Sequence, residues 1–318
     1  MEKRKKMLQR CDSLLAKRKM VRPALPKDGG ERMIGTVDTN RFFKGYKRTG
    51  DSKIFPENLT GKWLRKKWKS GEQRTFLPNL CEDVSEKWSW ALTPKFLEPS
   101  QTLFKWAQDE HSEEAWACVF LQVLWGIEFM VDNRRCHGDL HTANIQVFPV
   151  PETNWEILKV DVFRGRWQVL IFDYNLSGSW DPDSPIRNPD WNDDRSHNET
   201  LGFPLWTPEV FWWNDLIRFT LQWPGIFIDE KCPQAVKSLL FLVERVLGYG
   251  ILDVWCQKDS KRFTGCVNLV DFEKIKKEKK NTQAIVKKVI GDWRTSMKTK
   301  FPRMFEKNLS GETVRLAF

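Results

Sequence analysis

A long apolar segment followed at once by a polar cluster constrains this chain most. Residues 112–131 are "SEEAWACVFLQVLWGIEFMV". Ser112 can cap a helix, Glu113 and Glu114 suit its first turn, and the residues that follow are almost continuously apolar. So apolar a helix is expected to be buried on most sides. The cluster "CHGDLHTANI", residues 136–145, follows directly and contains two of the four histidines of the chain.

Length and composition favour an ordinary globular protein. The 318 residues can bury a core, and 30% charged with 41% apolar residues argues against disorder. The most apolar runs are interrupted by Glu128, Glu244, Arg245 and Asp253, so we expect no membrane span. The basic N-terminus lacks an apolar core, and the seven cysteines form no C-x-x-C pair. Both features favour free thiols inside the cell, in the cytoplasm or the nucleus.

The formal net charge of +10 is compatible with three kinds of partner: nucleic acid, an acidic protein, or nucleotide phosphates. Charge alone does not choose among them. The basic runs "EKRKK", "GKWLRKKWK" and "KIKKEKK" are most often solvated faces, so nucleic-acid binding is a minor alternative. The 17 tryptophans show no stacking pattern, and we expect most of them to serve packing.

The pattern along the chain predicts a basic N-terminal arm over residues 1–28, a strand-rich region over 29–108 and a helical region over 109–318. A hairpin is expected in "RFFKGYKRTGDSKIF", with its turn at residues 49–51. Three strands are expected in "IQVFPV", "WEILKV" and "WQVLIFDY", with turns at residues 151–154 and around Gly165. Helices are expected over 211–223, 233–249 and 272–298.

The histidine cluster admits two chemical interpretations. His137 and His141, four residues apart, could share a helix face as zinc ligands do. However, Gly138 interrupts the spacing and no third ligand is identifiable. Phosphoryl transfer instead needs a carboxylate near the acceptor hydroxyl and an amide oxygen for Mg²⁺ five residues later. Asp139 and Asn144 have that spacing, and Asp173, after the apolar run "VLIF", supplies a second carboxylate.

These residues resemble the protein-kinase-like superfamily. "HGDLHTAN" is similar to the H-x-D-x-x-x-x-N catalytic loop, in a form shared by small-molecule phosphotransferases and divergent viral kinases. "FDYNLS" resembles the D-F-G segment, and "GFPLWTPE", residues 202–209, resembles the end of an activation segment. "WWNDLIRF" resembles the helix whose aspartate, here Asp215, hydrogen-bonds the backbone of the catalytic loop.

The resemblance implies a role for each matching residue. Asp139 would be the catalytic base or would orient the acceptor hydroxyl, and His141 would donate to the transferring group. Asn144 and Asp173 would bind Mg²⁺ and with it the nucleotide, ATP. His137 would be structural, packing against the Asp173 segment. The implied fold is α+β and two-lobed, with a reduced or divergent β-rich N-terminal lobe and a helical C-terminal lobe.

The front half departs from the family pattern. It has no G-x-G-x-x-G; the glycines of "DGGERMIGTV" are a poor substitute. Lys53 and Lys44 are the candidates for the nucleotide-binding lysine, and Glu82 and Glu86 for its acidic partner. The segment between Asn144 and Asp173 is long, which implies an extended hairpin.

Three functions therefore remain open. The first is an ATP- and Mg²⁺-dependent serine/threonine protein kinase of virus-like type, acting on a protein substrate in the host cell or virion if the chain is viral. The second is a kinase-like small-molecule phosphotransferase. The third is a pseudokinase, a noncatalytic binding module with basic surfaces.

Overall fold

A computed structural model gives the arrangement of about half of the chain. The residues that it describes are 32–38, 41–47, 56–67, 73–74, 76, 81–84, 88–94, 99–157, 161–174, 177–179, 215–220, 222–227, 232–247, 282–306 and 313–317.

The first sheet is antiparallel and is formed entirely by residues 32–94. Its strands are β1 (Arg32–Asp38), β2 (Arg41–Lys47), β4 (Cys81–Val84) and β5 (Trp88–Pro94), in the order β1-β2-β5-β4. The hairpin that the sequence predicted between "RFFKGY" and "SKIF" is wrong. β2 pairs with β1 along one edge and with β5 along the other, so neither edge is open to the segment that directly follows residue 51.

The second sheet is mixed and has five strands. They are β3 (Gln73–Arg74), β6 (Gln101–Thr102), β8 (Ile145–Ile157), β9 (Asp161–Ile171) and β11 (Thr313–Ala317). β11 lies parallel to both β3 and β8, whereas β6 and β9 are antiparallel to β8. A separate two-stranded ribbon joins β7 (Arg135–Cys136) to β10 (Gly178–Ser179).

β8 and β9 form the extended hairpin that the sequence implied, but the two expected turns are wrong. Residues 151–154 lie within β8, where the register shifts between Pro149 and Thr153, because proline is tolerated at such an irregularity. Gly165 lies within β9, opposite Thr153. A Cβ at Gly165 would lie 2.2 Å from the Sγ of Cys118, so this glycine allows a close approach of strand and helix.

Seven helices are described. They are α1 (Pro56–Lys67), α2 (Leu103–Trp106), α3 (Glu113–Asp132), α4 (residues 215–220), α5 (Trp223–Ile226), α6 (Gln234–Leu247) and α7 (Thr282–Lys300), with 3₁₀ turns at Thr142–Asn144 and Pro302–Phe305. The prediction of α3 is confirmed, including its cap: the Ser112 hydroxyl accepts from the amide of Ala115 at 3.2 Å. α6 and α7 confirm the later helices over the residues that are described.

α3 is the centre of the hydrophobic core. It packs against β9 on one side and against α6 and α7 on the other. α3 is long and apolar enough to cross a bilayer, but 78% of that stretch is buried inside the fold, as is usual for a core helix. The expectation that tryptophans serve packing is confirmed for the large buried rings of this core, Trp106, Trp125, Trp155, Trp223 and Trp293.

The described residues confirm an α+β fold with a mixed sheet. Two short strands from before residue 108, β3 and β6, belong to the second sheet, which also contains β11 from the end of the chain. α1 contacts the segment just before β10, because the hydroxyls of Thr60 and Ser177 share a buried hydrogen bond of 2.6 Å. Cys118, Cys136 and Cys232 are buried thiols, as the cysteine pattern predicted.

Candidate functional site

The loop after α3 and β7 is held in place by one buried carboxylate. The Oδ2 of Asp215, on α4, accepts from the amide of His137 at 2.6 Å, and its Oδ1 accepts from Gly138 at 2.9 Å. Gly138 has a φ of 84°, a conformation that residues with a Cβ rarely adopt. The predicted contact between Asp215 and the backbone of the loop is thereby confirmed.

His137 joins this loop to the end of β9. Its side chain is buried, its Nε2 lies 2.8 Å from the carbonyl oxygen of Phe172, and its ring packs against Tyr174. Burial lowers the pKa of His137, so the ring is neutral and donates from Nε2 while Nδ1 accepts from the amide of Asp139 at 3.3 Å. Its expected structural role is confirmed.

This geometry argues against the zinc interpretation. Both ring nitrogens of His137 are engaged in hydrogen bonds, which leaves neither lone pair for a metal. Over the part of the chain that the structure describes, no group of three His, Cys, Asp or Glu side chains is arranged to hold a metal ion.

Asp139 follows Gly138 and is contacted from three sides. Nη1 of Arg218 donates to its Oδ1 at 2.7 Å, and the Nε2 of His141 lies 3.5 Å from its Oδ2. Nδ2 of Asn144 lies 3.5 Å from Oδ2 and donates to the Asp139 carbonyl oxygen at 2.9 Å. Burial raises the pKa of Asp139, but the His141 hydrogen bond and the Arg218 charge outweigh it and lower the pKa to about 2.

Arg218 is the main residue of the site that sequence reasoning missed. Its side chain is only 4% exposed, and it lies on α4 one turn after Asp215. Burial lowers the pKa of Arg218, whereas the charges of Asp139 and Asp215 raise it. The signal in the sequence was the i, i+3 spacing of an acid and an arginine in "WWNDLIRF", which puts both side chains on one helix face.

His141 lies at the start of the 3₁₀ turn that carries Asn144. Its Nδ1 accepts from the amide of Ala143 at 3.2 Å, which leaves a ring proton on Nε2, the atom that faces Asp139. The side chain of Gln222 also holds this turn, because its Oε1 accepts from the amide of Thr142 at 2.6 Å. Gln222 is the second residue of the site that sequence reasoning missed.

Asn144 is buried and oriented by Asp139. Its Nδ2 is committed to the carbonyl oxygen of Asp139, and among the described residues no hydrogen bond is formed by its Oδ1. The carbonyl oxygen of Asn144 accepts from the amide of Phe172 at 3.1 Å. This bond continues the ladder of β8 and β9, in which Ile145 is opposite Ile171.

Asp173 therefore lies beside Asn144, two residues beyond the end of that ladder. Its φ of 69° places it in the left-handed region, which Asp tolerates better than most residues. Non-glycine residues in this region are concentrated at functional sites. The structure thus brings Asp139 and Asn144 into contact and places the backbone of Asp173 one residue beyond the partner of Asn144. An amide oxygen and a carboxylate are ligands that Mg²⁺ accepts.

Other predicted residues are not part of this arrangement. Lys44 is on β2 and Glu82 on β4 of the first sheet. The remaining candidates and segments lie outside the described residues: Lys53, Glu86, the glycines at 29 and 30, Asn175 and residues 202–209.

In comparisons with known proteins, no family model and no curated protein matches the chain.

Proposed function

We propose that this protein is an ATP- and Mg²⁺-dependent phosphotransferase, a divergent serine/threonine protein kinase of virus-like type. The observation that carries the proposal is the position of Asp139, an ionised carboxylate fixed by Arg218 and His141, next to Asn144, whose carbonyl oxygen pairs with the residue before Asp173. Phosphoryl transfer depends on positioning and charge compensation more than on covalent chemistry, and this group of side chains supplies both.

In this proposal Asp139 orients the acceptor hydroxyl. Its pKa of about 2 means that the carboxylate is ionised at neutral pH and accepts a hydrogen bond from the hydroxyl. So weak a base takes the proton only late, when the oxygen has begun to bond to phosphorus. His141, with its proton on Nε2, is placed to donate to the transferring group once a substrate separates it from Asp139.

Asn144 and Asp173 would hold Mg²⁺. The Oδ1 of Asn144 and the carboxylate of Asp173 are hard oxygen ligands, and Mg²⁺ commonly takes one or two such ligands together with phosphates and water. When bound, the ion would neutralise charge on the phosphates of ATP.

We also propose that the fold is divided into two lobes. The antiparallel sheet of residues 32–94 would be the reduced N-terminal lobe, and the part built on α3 would be the C-terminal lobe, with the nucleotide between them. An antiparallel sheet that precedes the core helix and its loop in the chain supports this division. Lys53 remains the proposed lysine for the nucleotide.

A protein acceptor is favoured by the sequence "GFPLWTPE", which resembles the end of an activation segment. The form H-G-D-L-H-x-x-N favours a small-molecule acceptor instead, so that activity is the second candidate. The lack of a glycine-rich loop favours the third, a pseudokinase. The three carboxylate and amide groups oppose a pseudokinase, because a noncatalytic protein has no chemical need for all of them.

The first test of the proposal is transfer of the γ-phosphate of ATP in the presence of Mg²⁺, to the protein itself and to a panel of serine and threonine peptides. Asp139→Asn keeps the shape of the side chain and removes its charge, so transfer should fall by at least about 100-fold. The matched control is Asp132→Asn, which removes an exposed carboxylate paired with Lys287 and should leave transfer unchanged. Equal activity of Asp139→Asn and wild type would show that the assignment is wrong.

A further inference from the structure

A cavity lies away from the Asp139 site, on the outer part of the β8–β9 hairpin. Its volume is about 590 Å³, and it lies between β9, the start of α3 and the chain that leaves α7. Its β9 residues, 164–167, precede Asp173 by six to nine positions. At ~3.3 Å per residue this separates the two sites by roughly 20–30 Å.

The cavity carries an excess of positive charge. Four cationic side chains line it, Arg164, Arg166, Lys300 and Arg303, against the carboxylates of Glu114 and Glu152. Glu152 lies 4.0 Å from Arg166. Within the described residues, none of the other three cations takes part in an ion pair.

Arg164 is held by a backbone carbonyl and is incompletely satisfied. Its Nη2 donates to the carbonyl oxygen of Arg303 at 2.6 Å, which fixes the guanidinium plane. Its Nε is buried, and the described residues provide no hydrogen-bond partner for it. A buried donor without a partner is unfavourable, and an anion beside this guanidinium would offset part of its uncompensated charge.

The wall behind Arg164 is firmly built. Gln122 on α3 donates to the carbonyl oxygen of Trp167 at 2.8 Å and accepts from the amide of Val169 at 3.0 Å. Gly165 presses against Cys118, with no room for a side chain. A site on such a fixed strand loses little freedom on binding. The half-buried rings of Trp167 and Phe301 add an apolar surface beside the cations.

We propose that this cavity binds a small phosphorylated molecule. Its phosphate would lie on Arg164 and Arg303, with Lys300 nearby, and its organic part on Trp167 and Phe301. Guanidinium groups match phosphate oxygens with two parallel hydrogen bonds, and a phosphate monoester carries nearly two charges where a carboxylate carries one. The volume suits a ligand of this size. This site does not depend on the proposed phosphotransferase activity.

Phenyl phosphate is the probe for this site, since it combines a phosphate with one ring. Calorimetric titration of the full chain, without Mg²⁺ and at constant ionic strength, should show one site. Arg303→Gln changes an exposed side chain while keeping the carbonyl that holds Arg164, and should weaken binding at least about tenfold. The control Arg245→Gln removes the same charge from the exposed face of α6 and should bind as wild type does.

Two results would overturn the proposal: no binding to wild type at millimolar phenyl phosphate, or equal affinity in Arg303→Gln and Arg245→Gln. The variant Arg164→Gln should also weaken the binding of phenyl phosphate. Circular dichroism checks that this variant is folded. The Mg²⁺-ATP response of the Asp139 site is measured separately and is expected to be unchanged in Arg303→Gln. Failure of one site is thus distinguishable from failure of the other.

Discussion

The carboxylate of Asp139 is the acidic group of the described site that three other side chains surround. Its neighbours come from two places in the sequence: His141 and Asn144 from the same loop, and Arg218 from α4, 79 residues away. A buried arginine beside a carboxylate favours the ionised form and fixes its orientation through the planar guanidinium. Two predictions follow at this scale, one for stability and one for activity.

At pH values above the pKa of Asp139 in the unfolded chain, the ionised carboxylate should increase the free energy of unfolding. Because folding lowers its pKa from 3.8 to about 2, this contribution is complete above about pH 5 and is lost as the pH falls towards 2. Between about pH 5 and about pH 2.5, the unfolding free energy of wild type should fall by about 1.5 kcal/mol more than that of Asp139→Asn. Urea unfolding at a series of pH values measures both. Parallel curves for the two proteins would contradict the assigned ion pair.

Arg218 should act as a positioning residue for Asp139. Arg218→Lys keeps the buried charge but replaces the planar fork by a single ammonium group, so Asp139 loses its fixed orientation. We expect kcat for phosphoryl transfer to fall about tenfold or more while the KM for ATP changes little.

The matched control for this change is Arg294→Lys. Arg294 is partly buried and pairs with Glu128 on α3, away from the loop, so its replacement should affect stability and leave kcat unchanged. If both variants lower kcat equally, the effect of Arg218 is a general loss of stability and its positioning role is wrong.

The sequence predicted part of this site and missed part, for a physical reason. Asp139 and Asn144 were found because both lie in one loop with a spacing set by its chemistry, and Asp173 because it ends an apolar strand. Arg218 and Gln222 were missed because their contacts with Asp139 and Thr142 span 79 and 80 positions. No local pattern encodes such a pairing, except that Arg218 shares a helix face with Asp215.

At the scale of elements, β9 is what carries Asp173 into the site. β9 pairs with β8 on one edge, and on its other side α3 crosses it. The buried side chain of Gln122 bonds a carbonyl and an amide of β9 as a neighbouring strand would. One amide group thus bonds two backbone groups of β9, of which the carbonyl oxygen of Trp167 also accepts from the Sγ of Cys118 at 3.5 Å.

Replacing Gln122 should therefore lower the free energy of unfolding by more than the small change in side-chain volume would. Gln122→Leu is one heavy atom smaller, and it leaves the amide of Val169 and the carbonyl oxygen of Trp167 without this partner. We expect a loss of about 2–4 kcal/mol in the free energy of unfolding, measured in urea. Gln108→Leu makes the same change at an exposed position and should cost less than about 0.5 kcal/mol. A similar small loss in Gln122→Leu would contradict this account of β9.

The elements also show where local sequence signals fail. α3 was predictable because its cap, its acidic first turn and its apolar length all agree. The turns expected at residues 151–154 and at Gly165 were not formed, because these residues serve a register shift and a close helix contact within long strands. Proline and glycine mark a special backbone requirement, and only the tertiary partner decides which one it is.

At the scale of the whole molecule, the second sheet depends on distant parts of the chain. β11, the last described segment, lies between β3 and β8 and is parallel to both, with Val314 packed against the core. Short strands of this kind, which pair across 159 residues with β8 and across 243 residues with β3, leave no periodic pattern in the sequence. The α+β class was predictable from the alternation of strand-like and helical segments, whereas this pairing was not.

The central claim is that the loop of Asp139 and the end of β9 together form a Mg²⁺-ATP site. The most direct measurement is the thermal unfolding midpoint with and without Mg²⁺-ATP, for wild type and Asp173→Asn. Asn adopts the left-handed backbone conformation of residue 173 almost as readily as Asp does, and it lacks the charge that would hold Mg²⁺. Asp132→Asn serves as the control for loss of a carboxylate elsewhere.

At a ligand concentration of about 100 times Kd, wild type and Asp132→Asn should gain about 2.7 kcal/mol of stability, and Asp173→Asn should gain far less. The gain should also disappear when Mg²⁺ is chelated. No Mg²⁺-dependent shift of wild type at millimolar ATP, or an equal shift in Asp173→Asn, would contradict the claim.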